Sequence, residues 1–191
     1  MYVIVCTRAD VAMHVGALAK FLKSPTIVHW QHALQVLKYL NTTREYGLVY
    51  GPEGDHELYA DADYASDPEG RKSRSGGCSM LGGGAIAWWS KVQPTVALST
   101  SESELMSITS CTKEALWEAK LFRDLDIPLR PNGSKINEDN QGALKIIKNP
   151  ISSDQIKHIA VRHFFVRERV ARGEIEMVYC GTESNVADIL T

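Results

Sequence analysis

Leu58-Tyr59-Ala60-Asp61-Ala62-Asp63-Tyr64 has the composition of a short strand: aromatic residues near both ends, small residues at 60 and 62, and an Asp67-Pro68-Glu69-Gly70 turn beyond it. Residues two apart on a strand point the same way, so Asp61 and Asp63 share a face with Tyr59. Acids among small apolar neighbours admit two readings. On an exposed edge strand they block aggregation. On a central strand an unpaired buried carboxylate is costly, and a divalent cation would compensate it.

The flanking sequence supplies the rest of a layered domain. Pro68 occupies the favoured second position of its turn. Gly76–Leu81 and Ala85–Ser90 read as two more strands, with Gly82-Gly83-Gly84 suited to a tight hairpin between them. A long helix is predicted over Thr100–Asp126, then a strand near Lys135–Asp139, a helix near Gln141–Lys148, a helix near Gln155–Arg172, a strand Glu174–Cys180 and a terminal helix from about Ser184. Three antiparallel strands followed by strand–helix alternation give an α/β layered domain with a mixed sheet. No helix follows the three glycines, so they match neither a Walker loop nor a dinucleotide fingerprint.

Upstream, Asp10 is a candidate cap for a helix over Val11–Leu22, which Pro25 ends. A second helix over Thr26–Leu40 carries Trp30, Ala33, Leu34, Leu37 and Leu40 on the side expected to be buried. His29 and His32 lie one turn apart there with no third ligand nearby, which favours ordinary side chains over a metal site. Gly47–Tyr50 reads as a brief strand, and Gly51-Pro52-Glu53-Gly54 as a boundary.

Composition excludes several classes. The 191 residues are 44% hydrophobic and 23% charged, those of a globular protein with one domain and a subdomain. No apolar run reaches membrane-spanning length, and Met1–Cys6 lacks the basic leader and cleavage region of a secretory signal. Cys6, Cys78, Cys111 and Cys180 form no paired motif, which fits reduced thiols in an intracellular, cytoplasmic protein. A net charge of −2 requires any nucleic-acid contact to come from a local patch.

Four acids stand at the element ends. In the long helix, Ile108, Cys111, Ala115, Ala119 and Phe122 recur at spacings of three and four, and four residues before Ile108 stands Glu104, on the sheet-facing stripe. Glu102 points elsewhere and completes a capping box with Ser99. Asp139 sits where a strand ends and a helix begins, the usual place for ligand-binding groups in open α/β sheets, and equally a place for an N-cap. Asp188 is a lone acid in an apolar stretch, either a ligand or a solvent-facing position. Carboxylates brought together need a counter-charge, which two divalent cations supply, and oxygen-only ligands suit Mg²⁺ or Mn²⁺.

Several blocks, in order, resemble the ribonuclease H domain of copia-type LTR retrotransposon polyproteins: Tyr59–Asp63, Lys72-Ser73-Arg74-Ser75-Gly76, Ser90–Ser99, Thr112–Trp117, Glu138-Asp139-Asn140-Gln141, Lys157-His158-Ile159 and Ala187–Thr191. The resemblance implies a ribonuclease H-like α/β fold over 57–191: a five-stranded mixed sheet, three antiparallel strands then two parallel, with helices on both faces. Residues 1–56 would form a small helical segment similar to the end of the reverse transcriptase/connection region. No polymerase Tyr-x-Asp-Asp motif is present.

By the resemblance, Asp61, Glu104, Asp139 and Asp188 match the family's four metal-binding catalytic acids, holding two Mg²⁺ or Mn²⁺ ions. The implied reaction is hydrolysis of the RNA strand of an RNA–DNA hybrid, inside a cytoplasmic retrotransposon particle, with a reverse transcriptase domain upstream in the same polyprotein. A non-catalytic hybrid- or polymerase-binding remnant is the alternative. Asn140 and Gln141 are candidates for the 2′-hydroxyl or a base edge. Arg71, Lys72 and Arg74 in one loop, with His158, Arg162, Arg169 and Arg172 on one helix, are candidates for backbone phosphates. Many cellular ribonucleases H carry a mobile histidine shortly before the last acid, and Tyr179–Asp188 contains none.

Overall fold

The computed structural model describes residues 2–52, 54–149 and 157–191, without the side chains of 157–160. Helices α1 (Tyr2–Cys6), α2 (Ala12–Ala19) and α3 (Ile27–Thr42) come first. Then come β1 (Glu57–Asp63), β2 (Arg74–Leu81), β3 (Gly84–Val92), α4 (Thr100–Asp124), β4 (Ser134–Glu138), α5 (Gln141–Lys148), α6 (Lys157–Ala171) and β5 (Ile175–Tyr179). The predicted start of α6 at Gln155 lies outside the described residues.

The sheet has five strands in the order β3-β2-β1-β4-β5. The β1–β2 and β2–β3 pairs are antiparallel, and β1–β4 and β4–β5 are parallel. The β2–β3 turn consists of Gly82 and Gly83 at φ 60° and 75°, positive values that a two-residue hairpin requires and glycine adopts without strain. With helices on both faces and a helical subdomain ahead of it, this is the ribonuclease H-like mixed-sheet architecture.

Strand alternation divides the core. Leu58 and Ala60 of β1 join Leu105, Ile108, Cys111 and Ala115 of α4, Ile136 of β4, Val166 of α6 and Ile175 of β5 in the main cluster. Each Leu or Ile buried there contributes about 1.5–3 kcal/mol. On the other face Tyr59 packs with Cys78, Ala85, Trp88 and Leu190. Trp89 joins the main cluster, while Trp88 on the opposite face donates Nε1 to the Ile4 carbonyl at 2.6 Å.

The N-terminal part departs from expectation in three places. Asp10 caps nothing: it takes two hydrogen bonds from Arg8, at 2.9 and 2.7 Å, while Arg8 also reaches Thr43. An adjacent guanidinium outcompetes a single N–H. Gly47–Tyr50 forms no strand, and instead the Tyr50 hydroxyl donates to the Ala85 carbonyl at 2.7 Å. Helix α3 has no buried residue, with Trp30 and Leu37 both 60% exposed. Its His32, Gln35, Val36 and Tyr39 side faces α2 across an open cavity of about 740 Å³, which turns the Trp30–Leu34–Leu37 stripe outward. His29 accepts from the Thr26 backbone N–H in a capping box and stacks on Phe21. Among the described residues no helix is long and apolar enough to cross a membrane.

Candidate active site

Parallel pairing brings the first two acids together. Tyr59 of β1 stands opposite Asn137 of β4, and two residues further along both strands come Asp61 and Asp139. Neighbouring parallel strands end at the same edge of the sheet, so both carboxylates arrive there. The third comes from α4. Ser99 caps that helix by accepting from Glu102 N, and the Glu102 carboxylate accepts from Leu98 N, one residue before the cap, at 2.7 Å. Ser107 donates to the Gly76 carbonyl and Gln93 to the Ser103 carbonyl, both at 2.9 Å, pinning the first turns of α4 to the sheet. Glu104, between these pins, is 5% exposed.

Oxygens of Asp61, Glu104 and Asp139 all lie within 4.8 Å of one another. Asp139 is not a cap, because Asn140 fills that role and accepts from Ala143 N. Instead Asp139 accepts from the Thr182 hydroxyl at 2.6 Å, and Asp61 accepts from the Thr191 hydroxyl. Asp188 stands outside the group: it is exposed and begins a single 3-10 turn, Asp188–Leu190, not the predicted helix. Ala187 and Leu190 are fully buried, while Val186 and Ile189, before and between them, stay 37% and 52% exposed, so half of the segment's apolar residues face out as in a short turn.

Burial and mutual repulsion among the carboxylates dominate the electrostatics. Burial, then the charges of Glu138, Asp61 and Asp139, push the Glu104 carboxyl up to about 10. Burial is also the main cause raising Asp61, reinforced by Asp139 and Asp188. Glu138 is pushed up to about 8, chiefly by burial. Its contribution was missed in the sequence, although the alternation Ile136, Glu138 places it on the core face of β4. Glu104 and Glu138 each leave Oε2 with no hydrogen-bond partner.

A buried, unpartnered carboxylate oxygen in an all-oxygen group fits a divalent cation. Oxygens sharing one Mg²⁺ at about 2.1 Å stand at most about 4.2 Å apart, so this group contracts slightly around one ion or spans two. The same shifts set the pH response of the metal-free protein. Folded-state pKa values raised above the ordinary 4.5 mean the native state keeps protons that the unfolded chain has lost. Stability is then fullest below about pH 4.5 and is lost as pH rises through about 8 and 10. In EDTA the melting temperature should fall from pH 5 to pH 9, and Glu104→Gln should flatten that fall and melt higher at pH 9. A wild-type curve level or rising across this interval would contradict the assignment.

The nucleic-acid candidates are arranged unevenly. Arg71 is exposed and Lys72 half-buried, but Arg74 turns inward, 9% exposed, with Nη1 on Ser90 Oγ. It is the first residue of β2, a strand buried on both faces over its first six residues. Arg169 pairs with Glu174 at 3.1 Å and lies over Phe165, which also occupies it within the fold. Arg172 pairs with Glu168. Arg162 is half-buried, Gln141 is exposed, and Asn140 uses Oδ1 for the α5 cap. The His158 side chain lies outside the described residues.

The fold is shared with solved ribonucleases H. Ribonuclease H1 LC11, isolated from compost, matches with a TM-score of 0.53 at 13% identity, over 72% of this chain and 93% of that one. In sequence, the chain is 37% identical over its full length to the retrovirus-related Pol polyprotein from transposon TNT 1-94 of Nicotiana tabacum, of which it spans 14%. It is 46% identical to secreted RxLR effector protein 161 of Plasmopara viticola over 61% of this chain and 84% of that protein. The chain is homologous to a segment of copia-type retrotransposon Pol polyproteins, of which it spans only 13–14%. No protein-family model matches it.

Proposed function

We propose that this chain is a metal-dependent endonuclease that hydrolyses the RNA strand of RNA–DNA hybrids during retrotransposon reverse transcription. The supporting observation is the convergence of Asp61, Glu104 and Asp139 within 4.8 Å, with a buried Glu104 oxygen left unpartnered. In this reading those three acids and Asp188 hold two Mg²⁺ or Mn²⁺ ions. Bound there, the ions supply Lewis acidity and charge neutralisation for attack of water on a phosphodiester.

The chain's own groups orient and select. Thr182 and Thr191 fix the rotamers of Asp139 and Asp61. Gln141 and the amide N–H₂ of Asn140 face the minor-groove 2′-hydroxyl, which tells RNA from DNA. Arg71, Lys72 and Arg162 take backbone phosphates, each adding to the salt dependence of binding. Residues 57–191 make up the nuclease domain, and residues 1–56 the helical segment joining it to a reverse transcriptase domain upstream.

The test is a panel of labelled RNA–DNA hybrid, duplex RNA and duplex DNA, each with Mg²⁺, Mn²⁺ or EDTA. Cleavage of the RNA strand of the hybrid alone, abolished by EDTA, is the expected result. Cutting of duplex DNA would indicate a DNA-cutting relative, and hybrid binding without cleavage a binding remnant.

A further inference from the structure

The acid that completes the site must travel. Strand β5 is the edge of the sheet, and β4 stands between it and β1, where Asp61 lies. At about 4.8 Å per strand, the chain after Tyr179 crosses roughly 10 Å of sheet before Asp188. It does so with only two 3-10 turns, Thr182–Ser184 and Asp188–Leu190, which have little stability of their own.

We propose that Gly76 and Asn185 are positioning residues that dock this segment across β1 and β2, so that Asp188 is held beside the acid group as a ligand at its rim; the inference rests on the nuclease reading above. Asn185 is the anchor on β1. It is 4% exposed, and its Nδ2 donates to the Ala60 carbonyl at 2.9 Å, one residue before Asp61. Its Oδ1 accepts from Ala187 N at 3.2 Å, which turns the chain toward Asp188. The β1–β4 pairing ends at Tyr59 and Asn137, so Asn185 engages β1 just beyond the last ladder pair.

Gly76 is the seat on β2. It pairs directly with Asp61. A Cβ there would lie 2.7 Å from Thr191 Cγ2, 2.8 Å from the Ala187 carbonyl oxygen and 2.9 Å from Leu190 Cβ. Such separations are well inside the 3.5–4.0 Å optimum of carbon contacts, so any side chain lifts the segment. Ala187 and Leu190, each fully buried, fill the space that the glycine leaves.

The dock explains why the segment touches two acids at once: Thr182 Oγ1 on Asp139 and Thr191 Oγ1 on Asp61. Asp188 lies between those two threonines in sequence, and its charge is felt at Asp61. It also gives a role to the end of the Lys72-Ser73-Arg74-Ser75-Gly76 block, whose two serines serve the fold: Ser73 accepts from Ala65 N and Ser75 from Gln93.

Two measurements on the full chain test this. In metal-free hydrogen exchange, Gly76→Ala and Asn185→Ala should each speed exchange of the Asp188, Leu190 and Thr191 amides at least tenfold, with α4 unchanged. In a Mn²⁺ titration, Gly76→Ala should weaken binding by the same factor as Asp188→Asn, about fivefold to tenfold, and the double variant should bind no more weakly than either. Unchanged exchange in both variants, or losses that multiply in the double variant, overturns the proposal. A wild type that takes up no Mn²⁺ removes the nuclease reading instead, and the exchange data then still decide whether the dock exists.

Discussion

Asp139→Asn should lower cleavage of the RNA strand of a labelled hybrid by about a thousandfold, equivalent to about 4 kcal/mol of lost transition-state stabilisation. The substitution removes one charge and almost nothing else. The amide is the size of the carboxylate, the Thr182 hydroxyl still finds an acceptor, and Asp139 is not fully buried, so folding is little affected. With Oδ held by Thr182, the amide turns an N–H₂ donor toward the other two carboxylates, and one negative charge leaves a group whose oxygens stand within 4.8 Å of each other. Asp61→Asn and Glu104→Gln should have effects of the same size. Asp63→Asn, two residues along the same strand but exposed, should retain the wild-type rate. Initial rates at saturating Mg²⁺, with thermal melts to confirm folding, check all four. A wild-type rate in Asp139→Asn would remove the site.

The chain shows why some parts of this arrangement are legible in sequence and others are not. Alternation in β1 puts Asp61 on the face of Tyr59, and the three–four spacing of α4 puts Glu104 on the sheet-facing stripe, while a strand-to-helix junction makes Asp139 a ligand or an N-cap in equal measure. Those signals are local. The face of α3 is not: Trp30, Leu34 and Leu37 form a sound apolar stripe, but period says which side is apolar, not whether anything covers it. Charge alone groups Arg74 with its neighbours Arg71 and Lys72 in a basic loop. The strand begins at that residue, and its side chain obeys the strand instead. The few apolar residues around Asp188 predict a helix, whereas the chain there makes a 3-10 turn beside the Asn185 anchor. Contacts between distant segments, such as Asn185 with Ala60, leave no periodic trace at all.

A network of that distant kind gives the other large effect. His56, one residue before β1, is 4% exposed and Glu118 of α4 is 2% exposed. His56 Nε2 lies 2.8 Å from Glu118 Oε2 and its Nδ1 lies 2.7 Å from Ser134 Oγ, while Ser79 donates to the same Glu118 oxygen at 2.8 Å. Four elements are thereby tied at one buried point, with the Phe122 ring edge-on against the imidazole. Removing one partner leaves Glu118 desolvated with a single serine, so His56→Ala should cost about 3–5 kcal/mol. At about 2–4 °C per kcal/mol for a chain of this length, the melting temperature should fall by roughly 10 °C. His56→Ala with Glu118→Ala should cost less than the two single losses added, because the second change removes the group that the first stranded. Glu118 lies fourteen residues beyond Glu104, about 21 Å along α4, and His56 sits at the opposite end of β1 from Asp61. Mn²⁺ affinity of the folded fraction should therefore be unchanged in His56→Ala. Strict additivity of the two losses would show that the pair is not coupled. A fall in Mn²⁺ affinity matching the fall in stability would show instead that this tie and the acid group are one cooperative unit.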